Sequence, residues 1–105
     1  MDEQGMKYEF AAKVYHHSSS HELAGWMFVK LPKELSREIR KLFKELEEGW
    51  GRMRVTVKTG NSQWKTSIWF DTKQDRYLLP IKAAIRKKEK IVKDALVEIA
   101  IWINV

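Results

Sequence analysis

The chain has no cysteine. That absence removes disulfides, thiolate zinc sites, iron–sulfur clusters and thiol nucleophiles together, and it suits a reducing compartment, so a cytoplasmic location is the expectation. Proline occurs twice and glycine five times in 105 residues, too few for collagen-like or linker-like sequence. Long apolar runs are missing as well. The longest, Ala95 to Val105, is interrupted by Glu98 and reaches about half of the ~20 residues that a membrane span needs. Met1 to Phe10 has acidic residues and no apolar stretch, so no secretory or transit segment is expected there. Acids are the scarcer charge, 14 against 20 lysines and arginines, for a net charge of +6. Such a chain is expected to fold as one domain over residues 6–105, with residues 1–5 frayed and a monomer or weak dimer as its assembly.

What is present is patterned. Tyr8, Phe10, Ala12 and Val14 recur at period two against Glu9 and Lys13, as a half-buried strand over Tyr8 to Tyr15 requires. A polar loop from His16 to Glu22 leads to a second apolar strand, Trp26 to Leu31. Pro32 then suits a first helical position, and Leu35, Ile39, Leu42, Phe43 and Leu46 form one apolar stripe on the helix that follows. Lys33 to Glu48 carries five basic and five acidic residues, a neutral outer face, and Gly49 is expected to close the helix at positive φ.

Arg52 to Thr59 alternates with Met53, Val55 and Val57 inward, and Gly60-Asn61 supplies a hairpin turn into a strand from Gln63 to Phe70. After the polar loop Asp71 to Asp75, a short strand Arg76 to Leu79 ends at Pro80, and Ile81, Ala84 and Ile85 begin a second helix. A turn through Ile91 to Ala95 opens the last strand, with Val97, Ile99, Ile101 and Ile103 facing the core. The order strand, Leu-Pro, helix, strand occurs twice, with 48 residues between Pro32 and Pro80, which suggests an internal repeat.

Phe10-Ala11-Ala12-Lys13-Val14, Gly25-Trp26 with Val29-Lys30-Leu31-Pro32, Gly49-Trp50-Gly51-Arg52, Trp64-Lys65-Thr66-Ser67 and Tyr77-Leu78-Leu79-Pro80 through Arg86-Lys87 resemble, in order, a prokaryotic domain-of-unknown-function family. Its members occur alone or beside YdeI/OmpD-associated, bacteriocin-protection type domains. The resemblance implies a double-split β-barrel, a closed six- or seven-stranded pseudo-barrel with two helical caps and a pseudo-two-fold repeat, and no established activity. The chain departs from that family's pattern where Lys90 and Asp94 replace glycines and Ala95 replaces aspartate, so the turn is expected to persist in altered form. A second, partial resemblance, on Leu79-Pro80-Ile81, Ile85-Arg86-Lys87, Ile91 and Lys93-Asp94-Ala95-Leu96, is to the AbrB-like swapped-hairpin barrels. Fold kinship does not transfer function. The loop corresponding to that family's basic DNA contacts is here the acidic-leaning Asp71 to Asp75.

Ile81 to Lys93 holds Lys82, Arg86, Lys87, Lys88, Lys90 and Lys93 against Glu89 alone. This field favours an anionic ligand or nucleic acid, and Lys82, Arg86, Lys87 and Lys90 with Arg52 and Arg54 are the candidate contacts. The competing reading is a lysine-rich helix that keeps the surface soluble. Five tryptophans either plug the core or stack a ligand. Trp64 and Trp69 have opposite parity on one strand, so one of them belongs outside. Trp50, Trp64 and Tyr77 are candidate aromatic ligand contacts in a barrel mouth. No metal site is expected from His16, His17 and His21, because adjacent side chains diverge on extended backbone. Ser67 lacks elbow glycines, and no phosphate loop, dinucleotide fingerprint or His-Glu-x-x-His run is present. The function expected is therefore a non-enzymatic binding module with no cofactor. The alternatives are a protein-interaction or accessory domain and a small-molecule-binding barrel.

Overall fold

In a computed structural model, which describes residues 5–17 and 26–104, six strands close into an antiparallel barrel. They are β1 (Lys7–His17), β2 (Trp26–Lys30), β3 (Arg52–Thr59), β4 (Ser62–Asp71), β5 (Arg76–Ile81) and β6 (Leu96–Ile103), with helices α1 (Lys33–Phe43) and α2 (Ala83–Glu89). Around the ring the order is β1-β2-β5-β4-β3-β6. Two-residue periodicity makes this closure possible, since every strand turns one row of side chains inward. Val14, Val29, Met53, Val55, Val57, Ile68, Leu79, Ile101 and Ile103 fill the interior without solvent contact. Closure also leaves no strand edge along most of the ring.

Strands change partners along their length. β1 pairs with β6 over Lys7 to Lys13 and with β2 from Val14 to His17. β4 pairs with β3 from Ser62 to Trp69, but with β5 only at Trp69–Leu78, Phe70–Tyr77 and Asp71–Arg76. Beyond Leu78, β5 continues to Ile81 bonded to β2, through Phe28–Pro80 and Met27–Ile81. Pro80 removes a donor from this stretch, and β4 and β5 diverge there. The strand expected to stop at Pro80 runs one residue past it, because the β2 ladder carries it on.

The hairpin turn at Gly60-Asn61 is two residues long, as its register Thr59–Ser62 requires, and Gly60 takes φ +57°. Several expectations are corrected. Pro32 precedes the helix in extended conformation, φ −55° and ψ 146°, instead of opening it. The α-helix ends at Phe43 and passes into a 3₁₀ turn over Lys44–Leu46, so Gly49 does not cap it. The glycine at positive φ is Gly51, φ +69°, where a Cβ would lie 3.1 Å from that of Phe70. Leu42 and Leu46 of the expected stripe are exposed. The buried face of α1 is centred on Ser36 and Ile39, with Leu35 and Phe43 packed beside them, which swings Leu42 off its edge. No helix of the described residues is long and apolar enough to cross a membrane.

The turn after α2 persists in the altered form expected from its departures. Lys90 and Asp94 both occupy the left-handed region, at φ +57° and +71°. Lys90 donates its backbone N–H to the helix end, and the Asp94 N–H reaches the Val14 carbonyl at 2.8 Å.

Candidate functional site

Where β4 and β5 part, a cleft of about 350 Å³ opens, bounded by Trp64, Lys65 and Thr66 on β4, Pro80 and Ile81 on β5, and Lys82, Ala83 and Arg86 at the start of α2. Three of these residues are cations and none is an acid. The Arg86 Nε donates to the Ile81 carbonyl at 3.1 Å, which fixes the guanidinium against the end of β5. Lys65 and Lys82 are exposed. The ion pairs of the described residues involve Lys7, Lys13, Arg37, Arg40, Arg52 and Arg54, and no cation of the cleft is among them.

The single acid of α2 points elsewhere. Glu89 Oε2 accepts the Ser62 hydroxyl at 2.6 Å and the Asn61 N–H at 3.2 Å, tying α2 to the β3–β4 hairpin. Lys87, Lys88, Lys90 and Lys93 stand exposed around the same helix and its turn. Of the candidate anion contacts, Lys82 and Arg86 therefore line the cleft, while Lys87 and Lys90 extend the field outside it. Arg52 and Arg54 lie on the outer face of β3 beside Glu48, at 3.2 and 3.6 Å. Lys65, opposite Thr56 on the same outer face, is the cation that joins this face to the cleft. Lys65 lies in the Trp64-Lys65-Thr66-Ser67 segment, but its meeting with Lys82 and Arg86 depends on the divergence of β4 and β5, a non-local event.

The aromatic candidates separate. Trp64 is 8% exposed, its ring in the core and its edge on the cleft, whereas Trp69 is the outward one at 40%. Tyr77 is wholly buried. It faces Phe70, six residues along β4 from Trp64 or about 20 Å of strand, so Trp64 and Tyr77 do not share a barrel mouth. The Trp50 side chain lies outside the described residues, as do His17 beyond its backbone and the loop with His21. His16 is exposed on β1, and no group of metal-ligating residues occurs among the described residues. Ser67 sits mid-β4 opposite Arg54.

The opposite end of the barrel carries a polar network. The Tyr77 hydroxyl donates to Glu47 Oε2 at 2.5 Å, and the Tyr77 N–H donates to the buried Ser36 Oγ at 3.0 Å. Arg40 holds its Nε 3.5 Å from the same carboxylate oxygen and its guanidinium 3.8 Å above the Phe70 ring. Burial first, then the hydrogen bond and charge of Glu47, push the Tyr77 hydroxyl well above the ordinary 10.0, with Arg40 opposing. This network fastens α1 to the barrel. A wider groove of about 770 Å³ on the outer face of β1, β6 and β3 mixes Lys7, Glu9, Lys58 and Glu98, and its Lys7 and Glu9 pair at 3.1 Å.

Over residues 10–101, the chain that builds this barrel and its acid-free cleft matches the family model of a domain of unknown function, DUF1905. The chain belongs to that family. No curated protein matches it.

Proposed function

We propose that this DUF1905 protein is a non-enzymatic binding module that holds a phosphate-bearing ligand, nucleic acid included, in the cleft between β4, β5 and α2. The observation that carries the reading is the convergence of Lys65, Lys82 and Arg86 on one concave space with no carboxylate in its wall. Uncompensated cations around a cleft focus field and raise local anion concentration. The conformation of Lys90 supports the same reading. A lysine needed only for solubility has many sites of ordinary backbone, yet this one occupies the left-handed region, which costs a non-glycine residue roughly 1 kcal/mol.

Titration of single- and double-stranded oligonucleotides and of inorganic pyrophosphate at two salt concentrations tests the proposal. Binding that weakens steeply with salt is expected. No binding of any of them at low salt would remove it.

A second reading rests on Val92 and Leu96, which are 61% and 74% exposed across the turn that leads into β6. They suit a protein contact, as an accessory domain beside YdeI/OmpD-associated partners would make. We also read the barrel as a double-split fold of two related halves, the AbrB-like kinship included. Exchanging β1, β2 and β3 with β4, β5 and β6 leaves the ring order unchanged, which supports this. The pairs Lys30–Leu78 and Val55–Ile103 also join residues separated by the same 48 positions as the prolines.

A further inference from the structure

Outside the cleft, the strand registers assemble a surface that the anion reading does not need. Arg52 lies opposite Trp69, Trp69 opposite Leu78, and Leu78 opposite Lys30, so one outward row crosses β3, β4, β5 and β2. The row behind it brings Pro80 opposite Phe28 and Phe28 opposite Tyr15. Trp69 is the exposed member, with the Arg52 guanidinium 5.7 Å from its ring centroid. The half-buried rings of Tyr15 and Phe28 stack at 5.8 Å with 24° between planes, and Lys30 Nζ sits 4.4 Å over Tyr15. From Arg52 through Trp69 every charged residue is basic.

Resting on the phosphate reading above, we infer that the ligand is a single-stranded nucleic acid. Its phosphates sit at Lys65, Lys82 and Arg86, and a base stacks on the exposed Trp69, with Lys30 beside the Tyr15–Phe28 pair adding positive charge to the same face. Flat rings set among cations recognise any base through its π-face, a face that a duplex keeps hidden between neighbouring pairs. Shape argues the same way. Four adjacent strands span about 14 Å, wider than the ~12 Å major groove that admits a helix or a two-stranded ribbon. A protein strand would gain from the apolar rings but not from the surrounding cations, unless it were strongly acidic.

The test is fluorescence anisotropy of labelled oligothymidylate and oligouridylate, against a hairpin duplex, with wild type, Trp69→Ala, Trp69→Phe and Lys82→Ala. Pyrophosphate binding is measured alongside by calorimetry, and far-UV spectra with melting midpoints verify that each variant is folded. Single strands are expected to bind more tightly than the duplex. Trp69→Ala should weaken them about 5- to 150-fold, the factor that corresponds to one stacked base, while leaving pyrophosphate unchanged. Trp69→Phe should recover most of the loss. The two oligomers distinguish DNA from RNA as the source of the strand. Equal affinity for duplex and single strand, or indifference to Trp69→Ala in a folded variant, overturns the stacking inference. The phosphate reading then survives if Lys82→Ala still weakens pyrophosphate. Failure of every probe to bind wild type at low salt overturns both.

Discussion

The two helices that cap the barrel are both rich in cations, and they dispose of them differently. On α1, Arg37 meets Asp75 at 3.2 Å and Arg40 meets Glu47 at 3.5 Å. Ser36 and Ile39 are wholly buried, and Ser36 accepts a backbone donor from β5. On α2, Ile85 is buried and Glu89 fastens the hairpin, but Arg86, Lys87 and Lys88 join none of the ion pairs among the described residues. Two of the four cations of α1, Arg37 and Arg40, are thus tied to carboxylates of other elements, while Lys33 and Lys41 stay exposed. The cations of α2 have no such carboxylate partner among the described residues, the arrangement that the proposed anion site requires.

Cutting the anchor of α1 should have the largest effect. Ile39→Ala removes a side chain with no solvent contact and is expected to cost about 2–5 kcal/mol in chemical denaturation, with the anion affinity of the folded fraction unchanged. Tyr77→Phe comes next, at about 1–3 kcal/mol, because it strips the partly buried Glu47 carboxylate of its donor. The same substitution changes the alkaline limb of stability. Below pH 10.0 the phenol is protonated in both states; above it the unfolded chain releases the proton that the fold retains, so stability falls as pH rises. Burial, and secondarily Glu38, raises Tyr8 in the same direction. Stability measured from pH 8 to 11 should therefore decline less steeply in Tyr77→Phe than in wild type.

Lys90→Gly relieves a left-handed residue and should stabilise the protein by roughly 1 kcal/mol while weakening anion binding at low salt. The smallest stability change is expected for Lys65→Ala with Lys82→Ala, both exposed, within about 0.5 kcal/mol of wild type by thermal melting. Their cost should appear instead in binding, as weaker affinity and a flatter dependence on salt. An α2 that behaved like α1, losing stability rather than binding, would dissolve the contrast between the caps.

How far the residue pattern reaches is clear from particular elements. The alternation of Met53, Val55 and Val57, and of Ile99, Ile101 and Ile103, placed those strands and their inward faces correctly, since period two is local and burial is one-sided. Parity placed one tryptophan of β4 outside. The pattern leaves open which of the two faces out; the fold settles it, with Ile68 and Trp64, of one parity, buried and Trp69 exposed. The end of α1 was misread because two glycines flank Trp50 and helical spacing was carried through Leu46. Only the 3₁₀ turn, and the packing of Gly51 against Phe70, decide which glycine bends the chain. The basic run on α2 was visible as composition. Its meeting with Lys65 was not, since that depends on where two ladders stop.

Amide chemical-shift mapping by NMR with a short single-stranded oligonucleotide tests the central claim most directly. Perturbations are predicted to concentrate at Trp64 to Thr66, Ile81 to Arg86 and Trp69, and to spare α1 and the Tyr77–Glu47 network. Shifts centred on α1, or on the mixed-charge groove of Lys7, Glu9 and Glu98, would contradict it.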